Sequence, residues 1–274
     1  MVDLDALPRI DSAANDRLKA VRRLVKARDR RREGLFVIEG FRELRRAVDG
    51  GLVIRDVFVA TSDWTGRQEA GLVDEIVGGG ARISVLSSKA FASIATQDAP
   101  DGLLGVADIP AVDLSVQPNV QADSLFVVVE GIERPGNLGT IARTAVAADV
   151  SGLILCDPQV NAFHPEVVRA SVGTLFTLPL SVVGVPELVT WARANGIRLI
   201  VTTPATDELY FDADVSGPVA VVVGSEKNGI TDAMRAAADV LVRIPMSDAI
   251  DSINVGVATG IVLFDVIRAR RRAG

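Results

Sequence analysis

Three short loops hold most of the residues that could do chemistry. The first, Gly131 to Arg143, reads GIERPGNLGTIAR and follows the apolar run Leu125–Glu130. It has the outline G-x-x-x-x-G between Gly131 and Gly136. A phosphate loop would then need Lys and Ser or Thr, but Asn137 and Leu138 stand there. Gly131, Gly136 and Gly139 do not fit G-x-G-x-x-G either. What remains is a strand-to-helix turn that presents Asn137, with Arg143 six residues on. At about 100° per residue, six helical steps carry Arg143 roughly 120° around from Asn137. Alone, Arg143 would be a surface salt-bridge residue, yet the helix around it is otherwise apolar or small.

The second loop, VVVGSEKNGI (Val221–Ile230), again leaves a buried-type strand. Gly224 and Gly229 let the backbone approach a ligand closely, and Glu226 can hold a partner cation such as an Arg. The third, RIPMSDAIDSINVGVATG (Arg243–Gly260), ends a strand at Ile244-Pro-Met246 and sends Ser252, Ile253 and Asn254 into a helix. Each polar residue there has a bland reading as a cap. Together they also suit a small polar site. All three loops leave the carboxyl ends of strands, the edge where open α/β sheets bind ligands.

The elements that must position these loops alternate. A first α/β unit spans residues 1–110, a stretch from Pro110 to Ser124 with two prolines and no charge run reads as a linker (111–124), and a second α/β unit spans 125–274. Strands of the second unit are apolar throughout, as in a parallel sheet covered on both faces. NDRLKAVRRLVKARDRRREG reads as one helix from Asn15 or Asp16 to a stop at Gly34, with Leu18, Val21, Leu24 and Val25 inward.

Composition excludes several classes. With 274 residues, 49% hydrophobic and 23% charged, the chain folds. One cysteine, Cys156, and one histidine, His164, leave no disulfide and no Cys- or His-based metal centre. Cys156 reads as a small buried hydrophobe and His164 as a surface or cap residue. No apolar run reaches 18 residues, and the start lacks a signal-peptide pattern, so the expected address is cytoplasmic. Net charge is −6, yet residues 17–46 carry twelve basic against four acidic residues. Such a local excess can track a phosphate backbone. Arg30, Arg31 and Arg32 are the expected RNA contacts, against a solvated helix face as the plain alternative. The terminal RARRR reads as a solvated helix end.

Taken together, EGIERPGNLGTIARTA, GSEKNGI and IPMSDAIDSINVGVATGI resemble, in order and spacing, the three motifs of the SpoU (TrmH-like) RNA ribose 2′-O-methyltransferases of the SPOUT superfamily. The N-terminal segment resembles the substrate-binding domain that precedes many SpoU domains. The resemblance implies an α/β fold: a knotted parallel-sheet SPOUT domain with a deep trefoil knot, behind a smaller ribosomal-protein-like domain. It implies S-adenosylmethionine as cofactor, a homodimer and RNA as partner, with large-subunit rRNA favoured over tRNA. Some relatives of this layout protect the ribosome from antibiotics, and no residue decides for or against that role. By the resemblance, Gly224, Ile244, Met246 and Ile253 line the cofactor pocket. Asn137 and Arg143 lie beside methyl group and ribose, Glu226 orients a neighbour such as Arg143, and Ser252 and Asn254 complete the site. Arg143 activates the ribose hydroxyl either after local deprotonation or, as energetics favours, by binding phosphate and stabilising an alkoxide. Asp248, Ile253, Gly256 and Glu130 depart from the family's usual residues. A non-catalytic RNA-binding or ribosome-assembly factor is the rival from another class. Retention of Asn137, Arg143, Glu226, Ser252 and Asn254 argues against it.

Overall fold

The computed structural model describes residues 2–64, 66, 68–247, 249–250 and 252–273. Asp248 lies outside them. Two compact units emerge, residues 1–110 with 161–177, and residues 111–160 with 178–274.

The first unit contains β1 (Arg9–Ile10), α1 (Asp16–Arg23), α2 (Ala27–Glu33), β2 (Leu35–Glu39), α3 (Phe41–Asp49), β3 (Ile54–Val59), α4 (Glu69–Gly78), β4 (Arg82–Leu86), α5 (Ser88–Ala92) and β5 (Leu103–Asp108). Its mixed sheet has the order β1-β4-β3-β5-β2, with β5 antiparallel to both neighbours. Leu18, Val21 and Leu24 pack with Val37, Phe58, Phe91 and Leu104 in one core. Phe36 meets Phe163 and Phe176 at ring-centroid distances of 4.8 and 5.7 Å, which ties segment 161–177 into this unit.

The expected single helix is two helices. Asn15 caps the first through Arg17 N–H (2.9 Å) and Gly34, at φ 66°, ends the second, both as expected. Between them Lys26 is extended, and the carbonyls of Leu24 and Val25 are freed. Arg30 supplies the missing donors. Its Nη1 donates to both carbonyls, at 2.9 and 2.7 Å, and its Nε donates to Asn161 Oδ1 at 3.3 Å. Arg30 is therefore 0% exposed, and Val25, expected inward, is exposed.

In the second unit follow β6 (Leu125–Glu130), α6 (Pro135–Ala147), β7 (Gly152–Cys156), the first unit's α7 (Pro165–Ala170), then β8 (Leu180–Val183), α8 (Val185–Ala194), β9 (Arg198–Thr202), β10 (Val219–Val223), α9 (Asp232–Ala237), β11 (Val240–Val242) and α10 (Val255–Ala273). All six strands are parallel, in the order β11-β9-β10-β6-β7-β8. Every residue of β6, β7 and β10 is buried, which explains their unbroken apolar sequences. Alternate residues such as Phe126, Val128 and Val222 pack under α8 and α9. Cys156 is buried here, its thiol pushed up to about 12 first by burial and then by nearby carboxylates.

Segment 111–124 is strapped to this sheet. Val182 N–H donates to Val112 O at 2.6 Å, and Gln117 Nε2 donates to Ser181 Oγ at 2.9 Å. Arg270 is likewise no solvated helix end. Its guanidinium donates to the carbonyls of Asp123, Val215 and Gly217, anchoring the chain where it enters β6 and β10. His164 caps α7, accepting from Glu166 N–H at 3.2 Å.

Candidate active site

The chain order places the reversal of the sheet between β6 and β10. From β6 the sheet grows through β7 and β8, while β10 and β11 flank β9 on the other side. Such a reversal opens a crevice at the carboxyl ends of the strands. The three loops line a cleft of about 670 Å³ there. Asn137, Gly224, Glu226, Ile244, Met246, Ser252, Ile253 and Asn254 all border it.

Its polar core is a directed chain of hydrogen bonds. Asn254 Oδ1 accepts from the N–H groups of Gly256 (2.9 Å) and Val257 (3.3 Å), so it caps α10. That fixes which way its amide points, and Nδ2 donates to Asn137 Oδ1 at 2.9 Å. Asn137 is fixed in turn, and its Nδ2 donates to Glu226 Oε1 at 2.5 Å. Glu226 Oε2 is buried and has no hydrogen-bond partner among the described residues. A buried carboxylate oxygen without a donor is costly unless a ligand supplies one.

Backbone shape completes the cleft. At Gly224 a Cβ would collide with the Gly229 carbonyl, and Gly229 itself sits at φ 65°. Ser225 and Gly229 bond to each other in both directions, at 2.9 and 3.0 Å, and close this turn. Close by, α6 and α10 lie side by side. A Cβ on Gly256 would come within 2.9 Å of Thr140 Cγ2, so the departure from the family's usual Ser follows from close helix packing.

Two site expectations need correction. Glu226 holds Asn137 and not Arg143. Arg143 is exposed on α6, does not border the cleft, and has no ion pair or side-chain hydrogen bond among the described residues. The helical rotation from Asn137 turns it away, as the spacing allowed. Of the three expected RNA contacts, Arg30 is withdrawn: it is buried against its own backbone. Arg32 is exposed but paired with Asp29 (3.1 Å) and Glu33 (2.8 Å), and Arg31 is exposed.

Other residues were given no role at the site by the sequence. Glu130, 2% exposed, closes β6. Its carboxylate accepts from Thr231 N–H at 3.0 Å and from Thr231 Oγ1 at 2.6 Å. Thr231 also caps α9 through Met234 N–H, so Glu130 clamps the far end of the Glu226 loop. The available signal was a carboxylate ending an apolar strand. Arg134, Lys227 and Arg235 also line the cleft, and no spacing pointed to them.

Comparison with known proteins agrees with this geometry. Residues 124–264 match the model of the SpoU rRNA Methylase family, and residues 15–105 match that of an MRM3-like substrate binding domain. A 23S rRNA (uridine(2479)-2′-O)-methyltransferase of Streptomyces viridochromogenes is 31% identical over 94% of this chain and 92% of its own length. A 23S rRNA (guanosine(2553)-2′-O)-methyltransferase of Bacillus subtilis is 25% identical over 94% and 98%. Among solved structures, an AdoMet-bound rRNA methyltransferase from Sinorhizobium meliloti superposes with TM-score 0.88 at 29% identity, over 96% of this chain and 98% of the other. With a parallel sheet, three loops at its reversal and a family model matched over half of its length, the chain belongs to the SpoU rRNA methylase family.

Proposed function

We propose that the protein transfers a methyl group from S-adenosylmethionine to a ribose 2′-hydroxyl of large-subunit rRNA, in the cytoplasm. The observation that carries this reading is the Asn254–Asn137–Glu226 chain, which ends at the cleft wall in a buried oxygen with no partner among the described residues. The cleft suits the cofactor: bare backbone at Gly224 and Gly229 offers N–H and C=O groups, and half-buried Ile244, Met246 and Ile253 offer apolar cover. Bound there, the cofactor supplies a methyl carbon already activated on a sulfonium sulfur.

The chain's own residues deal with the nucleophile. Glu226 Oε2 accepts the ribose hydroxyl's hydrogen bond and draws its proton. Asn137 holds Glu226 in place, and Asn254 ties both to the positive end of α10. The fixed positive charge of Arg143 binds a target phosphate and stabilises developing negative charge on the ribose oxygen.

Arg143 stands on the exposed row Thr140, Arg143, Ala147 of α6, and α10 beside it exposes Val257 (52%) and Phe264 (49%). Burial of that row by a second copy accounts for both features, and a homodimer is part of the proposal. So are the division into a substrate-binding domain (1–110) and a catalytic domain (125–274), and a trefoil knot formed by the segment before α10. In the first, Arg31 and Arg32 contact RNA.

The test is methylation of protein-free 23S rRNA, 16S rRNA and tRNA with labelled cofactor, with the modified ribose mapped. Arg143→Ala is expected to lose methyl transfer while calorimetry still registers cofactor binding. Full activity in that variant refutes the role of Arg143. Labelling of tRNA alone refutes the rRNA assignment.

A further inference from the structure

A second cleft, of about 440 Å³, lies wholly in the first unit at the carboxyl end of β2. Gly40, Arg42, Glu43, Glu69, Gln97 and Asp101 are among its walls. Nothing in the methyl-transfer reading uses it. Its chemistry differs from the basic helices α1 and α2, because carboxylates dominate.

Two of these carboxylates are committed in part to backbone. Asp101 Oδ2 accepts from Phe41 N–H at 2.7 Å, and its Oδ1 accepts from Leu103 N–H at 3.2 Å. Glu69 Oε1 accepts from Gly66 N–H at 2.8 Å. The second oxygen of Glu69 has no partner among the described residues, although the residue is 4% exposed and borders the cleft. Glu39, just before Gly40 at the end of β2, is buried with one oxygen also without a partner among the described residues. Glu43 folds back over Gly40, where any Cβ would collide with its carboxylate. Burial, and then the charge of Asp101, hold the Glu43 carboxyl above its ordinary range. Among the described residues, the site is short of hydrogen-bond donors.

A cation is a poor answer. Arg42 stands exposed at the rim with no acidic partner among the described residues, and it repels a bare positive charge. No group of three or more His, Cys, Asp or Glu side chains among the described residues is arranged to hold a metal ion. A neutral donor edge fits both the carboxylates and the arginine. Among RNA bases only guanine presents two adjacent N–H donors, N1 and N2, beside an acceptor, O6. The two donors meet a carboxylate, and the acceptor meets a guanidinium. Unpaired bases splayed from loops are what proteins read in RNA.

We propose that this cleft captures an unpaired guanine of the substrate RNA, with Glu43 and Glu69 accepting from its N1–H and N2–H groups and Arg42 at its O6. The proposal rests on the reading of the protein as an RNA methyltransferase and adds a base-specific contact remote from the chemistry.

The test uses the full-length protein and fluorescently labelled seven-nucleotide RNAs, all uridine except for a central guanosine, inosine or adenosine, with anisotropy as the readout. Guanosine binds tightest and adenosine roughly tenfold or more weaker, the scale of one bidentate base contact. Inosine, which lacks the N2 amine, falls between. Glu43→Gln, at a half-buried position that tolerates an isostere, flattens the series, and Glu69→Gln does the same if it folds. Equal affinity for the three RNAs overturns the proposal, as does a guanine preference that survives Glu43→Gln. Magnesium or spermidine binding that Glu43→Gln abolishes, without any base preference, also overturns it in favour of a cation site. Methylation of protein-free 23S rRNA is scored in parallel. No base preference with intact methylation rejects the cleft alone, and base preference without methylation of any RNA rejects the catalytic reading alone.

Discussion

Removing the carboxylate of Glu226 tests the active-site chain most directly. Its bond to Asn137 Nδ2 is 2.5 Å long and charge-assisted. Bonds of that kind contribute about 1.5–3 kcal/mol. Glu226→Ala loses that positioning, roughly 10- to 150-fold in kcat, together with the proposed proton acceptor, so the fall is about 100-fold or more. Glu226→Gln keeps an acceptor for Asn137 but no charge. A neutral bond is about half as strong, a loss of roughly 3- to 12-fold by itself, and an amide cannot take the ribose proton, so Glu226→Gln also falls about 100-fold or more. Cofactor affinity changes less than kcat in both variants, because the 224–230 turn is closed by its own backbone bonds between Ser225 and Gly229. The assay pairs steady-state methylation of 23S rRNA with calorimetry of the cofactor. Asn137→Ala combined with Glu226→Ala loses little more than Glu226→Ala alone, since Asn137 acts through Glu226. Wild-type turnover in Glu226→Ala, or fully additive losses in the double variant, refutes the reasoning.

Three further outcomes follow from the first unit. Arg30→Met leaves the carbonyls of Leu24 and Val25 unpaired and costs roughly 3 kcal/mol or more in urea unfolding, while the salt dependence of RNA binding is unchanged. Arg31→Gln does the reverse, with unaltered stability and a salt slope lowered by about one phosphate contact. Burial holds the Glu39 carboxyl above its ordinary range, outweighing its bonds from Thr96. The folded state therefore binds the Glu39 proton more tightly than the unfolded one. This group adds stability as pH falls from its folded value toward the ordinary carboxylate range, and withdraws it as pH rises. Thermal melts across that window are shallower in pH dependence for Glu39→Gln than for wild type, and identical slopes contradict the assignment.

The sequence carried the second unit further than the first. Apolar runs such as Leu125–Glu130 and Val219–Val223 admit little besides buried parallel strands, and the loops between them place eight of nine expected site residues on one cleft. Arg143 escaped because a linear motif records spacing but not which way a helix turns a side chain. Arg30 escaped for a different reason. Three consecutive arginines look alike in composition, and only the break at Leu24–Lys26, set by tertiary packing of Leu24, decides which one must turn inward to satisfy freed carbonyls. Segment 161–177 was invisible as part of the first unit because the contacts of Phe163 and Phe176 with Phe36 join positions more than 120 residues apart.

The direction of the amide chain bears on how a permanently charged arginine takes part in removing a proton. Donors run from the α10 backbone through Asn254 and Asn137 to Glu226, and each step fixes the next. In the proposed reaction the second oxygen of Glu226, without a partner among the described residues, is the acceptor of the ribose proton. Under that proposal, proton removal and charge stabilisation fall on different residues, Glu226 and Arg143. Arg143 need never lose its own proton, and its place on an exposed helix face, away from the buried acceptor, suits a group that meets a phosphate.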